Sequence, residues 1–153
     1  MIEPIRRSIT VPRRRDEAFR LFTSGMGTWW PLETHGRADE FDGAKTERFE
    51  FEEREGGRIY EVLTNGVEAD WGVVTAWDPP DRVVIDWSPS PEDRPYTEVE
   101  VTFTQLAEHT TRVDLTHRDW ERLGEQAGAI ARQQYEPGWT YVFDERYGQA
   151  AAR

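Results

Sequence analysis

Apolar residues recur at every second position through most of this chain, and the spacing turns helical near its end. Ile5, Ile9 and Val11 alternate with polar residues over 5–11, with Arg7 interrupting, which predicts an amphipathic strand closed by Pro12. Asp16 and Glu17 suit the first turn of a helix whose apolar face is Ala18, Phe19, Leu21 and Phe22, stopped by Gly25 and Gly27. Met26 and Trp29-Trp30-Pro31 predict a second short helix or tight turn, and 32–44 reads as a polar loop. Six further strands are expected at 46–53, 58–64, 69–77, 82–88, 96–106 and 111–118. Gly56-Gly57, Asn65-Gly66 and Asp78-Pro79-Pro80-Asp81 supply turns between them. Residues 88–95, with three prolines, read as a loop.

Parity assigns faces. Trp71, Val73, Thr75 and Trp77 fall together, as do Val83, Ile85 and Trp87, then Val99, Val101 and Phe103, then Val113, Leu115 and His117. On 58–64 the sets Tyr60/Val62 and Ile59/Glu61/Leu63 compete for the covered face. After this the period becomes helical over 120–135, weakened by Gly124 and Gly128. Pro137-Gly138 is expected to break the chain. Trp139, Val142, Phe143 and Tyr147 then form the stripe of a last amphipathic helix. Short hairpins make the sheet antiparallel, with one face covered, and the last helix has the apolar stripe to cover it. The fold class is therefore α+β, in a single domain spanning 1–153.

Composition narrows the chemistry. There is no cysteine, which excludes disulfides, thiolate metal sites and a cysteine nucleophile. His35, His109 and His117 are scattered without ligand spacing, so no metal and no cofactor is expected. Nineteen basic against 30 acidic residues give a net charge of −11, which repels nucleic acid; Arg13-Arg14-Arg15 reads as a solvated helix start. No apolar run is long enough to span a bilayer and the first residues lack a signal-peptide core, so a cytoplasmic location without membrane contact is expected. No nucleophile elbow or phosphate-binding glycine loop occurs. The excess lies in aromatics: seven Trp, seven Phe and five Tyr. Such a set either fills a core or lines an apolar pocket. Among polar groups, His117 has inward parity, as a core histidine or a ligand contact. Glu61, if inward, must be paired or neutral.

The ordered set of motifs resembles the START-like (SRPBCC) superfamily, whose fold is called helix-grip, and within it the AHSA-type branch. The features are Ile9-Thr10-Val11-Pro12 before Ala18-Phe19, Trp29-Trp30-Pro31, Gly56-Gly57-Arg58-Ile59-Tyr60-Glu61, and Gly72 leading into Asp78-Pro79-Pro80-Asp81-Arg82-Val83-Val84-Ile85-Asp86-Trp87. Thr111-Arg112-Val113 and Gly138-Trp139 complete it. Trp29-Trp30-Pro31, the 56–61 hairpin and Thr116-His117-Arg118 also resemble self-sacrifice resistance proteins of enediyne producers, although the 106–110 turn has no glycine to place a sacrificial residue. The resemblance implies a curved sheet wrapped around a C-terminal helix; a monomer or weak homodimer is expected.

The expected function is non-catalytic binding of a small hydrophobic, polyketide-like molecule. Its candidate ligand-binding residues are Trp29, Trp30, Tyr60, Trp71, Trp77, Trp87, Phe103, His117, Trp139 and Phe143. Two alternatives stay open. One is a polyketide cyclase or dehydratase using His117 with Glu61 or Tyr60. The other is a protein-interaction module of the heat-shock ATPase activator type.

Overall fold

A computed structural model describes residues 1–88 and 95–153. Most of the 88–95 loop therefore lies outside the described residues. Seven strands form one antiparallel sheet: β1 (Ile5–Val11), β2 (Thr46–Phe51), β3 (Arg58–Leu63), β4 (Glu68–Asp78), β5 (Arg82–Trp87), β6 (Thr97–Ala107) and β7 (Thr110–Arg118). Their order is β1-β7-β6-β5-β4-β3-β2, so β2 through β7 run as a meander and β1 closes against β7. Helix α1 (Arg15–Phe22) follows β1, and α2 (Leu32–His35) is a single turn after Pro31. A long helix begins at α3 (Glu125–Trp139), widens to π geometry over Thr140–Tyr147, and ends as α4 (Gly148–Ala152). Curved sheet and long C-terminal helix are the helix-grip arrangement.

Alternation predicts most of the inner face. Val83, Ile85, Trp87, Val99, Val101, Phe103, Val113, Leu115 and His117 are all buried. Trp139, Val142, Phe143 and Tyr147 close over them from the helix. Arg7, the interruption in β1, pairs with Asp144 of the helix, which accounts for a charge on that strand. On β3 the covered set is Ile59, Glu61 and Leu63. Tyr60 lies on the opposite face, with the Arg58 guanidinium 4.1 Å above its ring.

Several expectations are corrected. The parity assigned to β4 fails in its middle, because β4 carries two extra residues. Ile59 pairs with Gly72 and Tyr60 with Asp70, leaving Trp71 bulged; Val74 pairs with Ile85 and Ala76 with Val84, leaving Thr75 bulged. The phase slips twice, so Trp71 and Val74 point inward, Val73 and Thr75 do not, and Trp77 returns toward the core. Second, Pro137-Gly138 does not break the helix. Proline removes one N–H donor, and the chain continues through Thr140, whose N–H reaches both the Glu136 and Pro137 carbonyls. The helix also starts later than expected: Trp120–Leu123 is a 3-10 turn, and Gly124 at φ 96° separates it from α3. Third, 32–44 contains α2 and a 3-10 turn, Ala38–Glu40.

Candidate functional site

Four indoles meet where the helix crosses the sheet. Trp30 follows a 3-10 turn, Met26–Thr28, between α1 and α2; Trp71 and Trp87 stand on β4 and β5, and Trp139 ends α3. Trp30 lies 4.8 Å from Trp71, 5.8 Å from Trp87 and 5.9 Å from Trp139, centroid to centroid. Trp71–Trp87 and Trp87–Trp139 are 5.7 and 5.6 Å apart. All five pairs are tilted or edge-to-face, the arrangement that ring quadrupoles favour over a face-to-face sandwich. A cavity of about 240 Å³ opens beside them, completed by Tyr135, Gly138 and Val142 from the helix and by His35, Gly36, Arg37 and Glu40 at its mouth. A more polar cavity of about 500 Å³ lies on the other side of Gly36, lined by Glu33, Asp39, Lys45 and Thr46 among others.

Each wall indole spends its N–H inside the protein. Trp30 Nε1 donates to the His35 carbonyl at 3.2 Å, and Trp71 Nε1 to Glu61 Oε1 at 2.8 Å. Trp87 Nε1 donates to the Tyr135 hydroxyl at 3.2 Å, and Trp139 Nε1 to His117 Nδ1 at 2.9 Å. The wall therefore offers the cavity aromatic carbon and no indole donor.

Two buried polar groups organise this wall. Glu61 is fully buried and accepts three hydrogen bonds: the Trp71 indole, the Arg37 backbone N–H at 2.6 Å and the Thr46 hydroxyl at 2.5 Å. It thus ties the mouth segment to the sheet. Gly36 must approach it closely, since a Cβ there would lie 2.5 Å from the Leu32 carbonyl and 3.0 Å from Glu61 Oε1. Arg37 is itself held, donating to the Asp70 carbonyl at 2.6 Å and, through two nitrogens, to both oxygens of Glu40.

His117 is the second organiser. Because Nδ1 accepts from Trp139, Nε2 carries the proton and donates to Thr97 Oγ1 at 2.7 Å; the Thr97 hydroxyl then donates to the Trp87 carbonyl at 3.3 Å. The ring packs on Trp120 with centroids 4.0 Å apart. Burial pushes its pKa down to about 3, so it is neutral. His117 is a satisfied core residue behind the wall and does not line the cavity.

The ten residues expected from sequence therefore divide. Trp30, Trp71, Trp87 and Trp139 come together around the cavity. Trp29, Phe103 and Phe143 pack with Phe22 in the core beyond it, and Trp29 and Phe143 also meet Tyr147. Trp77 packs on Phe19 and Phe51 beside a separate depression bordered by Pro79 and Pro80. Tyr60 is on the outer face. Sequence reasoning missed the mouth, His35, Gly36, Arg37 and Glu40, because loop residues show no periodicity. Tyr135 was legible as part of a helical stretch but had no apolar stripe to assign its face. Among the described residues no group of His, Asp and Glu is arranged to hold a metal. Among the same residues no helix is long and apolar enough to cross a membrane.

Fold and cavity together define a START-like protein of the AHSA-type branch. The chain belongs to the family of Activator of Hsp90 ATPase homolog 1-like proteins, whose model matches residues 13–146. Among solved structures it is similar to Txn09, described as an anthrahydroquino-gamma-pyrone synthase and solved as a complex. The two are 31% identical over 97% of this chain and 96% of that one, with a TM-score of 0.61. It is also similar to CalC of Micromonospora echinospora, described as a self-sacrificing resistance protein, at 26% identity over 97% and 93% and a TM-score of 0.71. PFC0360w of Plasmodium falciparum, described as an HSP90 activator, shares the fold at 21% identity over 92% and 89% and a TM-score of 0.58. None of the curated protein sequences compared with the chain matches it.

Proposed function

We propose that this protein binds a compact, planar, aromatic polyketide-like molecule in the four-tryptophan cavity. The observation that carries the reading is the spent indole N–H groups: a wall of aromatic carbon favours a ligand that stacks and needs no hydrogen bond at its buried end. Binding pockets are mostly apolar with a few polar groups that set orientation, and here Arg37, Glu40 and His35 gather at the mouth. The volume of about 240 Å³ falls below the roughly 300–1,000 Å³ usual for drug-sized ligands, so the buried part of the ligand is small. Txn09 and CalC support the class, one by the fused aromatic product in its description, the other by its role in resistance. The interaction-module alternative has less support, since among the described residues the exposed large apolar side chains are scattered: Met1 at the N-terminus, Tyr96 just before β6, Leu106 near the end of β6 and Ile130 on α3.

The test is titration with 1,8-dihydroxyanthraquinone. Tryptophan emission should be quenched saturably and the melting temperature should rise, by about 2.7 kcal/mol of stabilisation at a hundredfold excess over Kd. A panel of tricyclic quinones that moves neither signal would show that the cavity does not take such ligands.

A further inference from the structure

His35 stands at the mouth of the cavity as the last residue of α2. Its backbone carbonyl accepts from the Trp30 indole, which ties it to the wall. Its ring leans on Tyr141 with centroids 5.4 Å apart, and Nδ1 lies 2.8 Å from Thr34 Oγ1. The Thr34 hydroxyl has the Pro31 carbonyl as its acceptor, at 3.4 Å. An exposed imidazole changes tautomer by exchange with water, and in the tautomer in which Thr34 turns its hydroxyl proton to Pro31, Nδ1–H donates to Thr34 Oγ1 and the lone pair is on Nε2. That nitrogen has no hydrogen-bond partner among the described residues. The other polar groups of the lining are engaged: Arg37 with Glu40, Tyr135 with Trp87, and the four indoles as described.

We infer that His35, oriented by Thr34, is a general base that removes a proton from an acidic C–H at the outward edge of a bound aromatic polyketide. The inference rests on the binding reading above and adds an activity to it. Nε2 takes the proton from a methylene carbon conjugated to a carbonyl. The C–H electron pair moves into the ring system, leaving an enolate with its charge on the carbonyl oxygen, and His35 becomes imidazolium. The side chain is exposed, so the proton passes to water, and the enolate regains a proton at oxygen or at carbon. No oxidant or reductant enters. Enolisation of this kind is the opening step of ring-closing condensations, and the cavity would hold the rigid end while the reactive edge meets His35. General-base groups contribute about 10²–10⁴-fold to rate.

Anthrone is the probe, because it is planar and its methylene exchanges through the enol. In deuterated buffer without oxygen, the native protein should accelerate deuterium uptake at that carbon, followed by proton NMR. His35→Gln should lose about a hundredfold of the acceleration while anthrone still quenches tryptophan emission. Added imidazole should restore exchange to His35→Ala, and Thr34→Val should lower exchange where Thr34→Ser retains it. Quenching without acceleration, or acceleration unchanged in His35→Gln, would overturn the general-base assignment and leave binding standing. Failure of anthrone to quench at all would remove both.

Discussion

The His117 ring accepts from one indole, donates to Thr97 and packs at a tilt on another indole. Truncating it to Ala strands the Trp139 N–H and opens a void, so His117→Ala should cost about 2–4 kcal/mol in urea unfolding, with no ligand present. The same group links stability to pH. In the unfolded chain an imidazole titrates near 6.5, whereas in the fold burial holds it down at about 3. Above about pH 6.5 both states are neutral and the contribution is fully present. As pH falls toward 3 the unfolded chain gains a proton that the folded chain refuses, so stability drops by up to about 1.4 kcal/mol per pH unit from this residue. Unfolding at pH 7, 6 and 5 should show His117→Gln with a slope shallower by about that amount; equal slopes would place the titration elsewhere. Inward parity made His117 visible in the sequence. What it did there depended on side-chain hydrogen-bond partners twenty or more positions away, which alternation does not encode. Glu61 behaved alike: its parity flagged a carboxylate needing partners, and the partners came from loop and adjacent strand.

At the scale of elements, turns and strand phase were legible wherever a strand pairs without interruption. β5, β6 up to Phe103, and β7 place every inward residue as the alternation predicts. β4 does not, since bulges at Trp71 and Thr75 each shift the phase by one, and two shifts return Trp77 to the side where simple alternation put it. Pro137 misled in the other direction: a breaker in isolation, it is carried by the packing of the helix on either side. The neighbouring Gly138 faces open space, with no atom within 4 Å of the point a Cβ would occupy, and it lines the cavity. Gly138→Ala should therefore raise stability by about 0.5–1 kcal/mol through helix propensity. Gly138→Leu should instead weaken anthraquinone binding at least tenfold in the fluorescence titration while the melting temperature holds. A Gly138→Leu protein that binds as well as the parent would mean that the ligand lies elsewhere.

For the whole molecule, the long helix is the second layer of the core. Trp139, Val142, Phe143, Tyr147, Ala150 and Ala151 are all buried by it, and the Arg13 side chain holds the carbonyls of Ala151 and Arg153 at its end. Ending the chain before Pro137 would leave the inner face of the sheet as one large apolar surface. Such a protein should aggregate and lose its sharp thermal transition; a monomeric, cooperatively melting product would show that the sheet folds without its helix.

The four tryptophans have an optical consequence as well. With neighbouring centroids between 4.8 and 5.9 Å apart, their excited states cannot be treated as separate. Dipole coupling at such spacing mixes the transitions into delocalised excitons, and the fixed tilts between the rings give the mixed states rotational strength. A molecule touching one indole thereby perturbs the absorption and circular dichroism of all four, so the wall of the cavity is also a built-in chromophore for whatever occupies it.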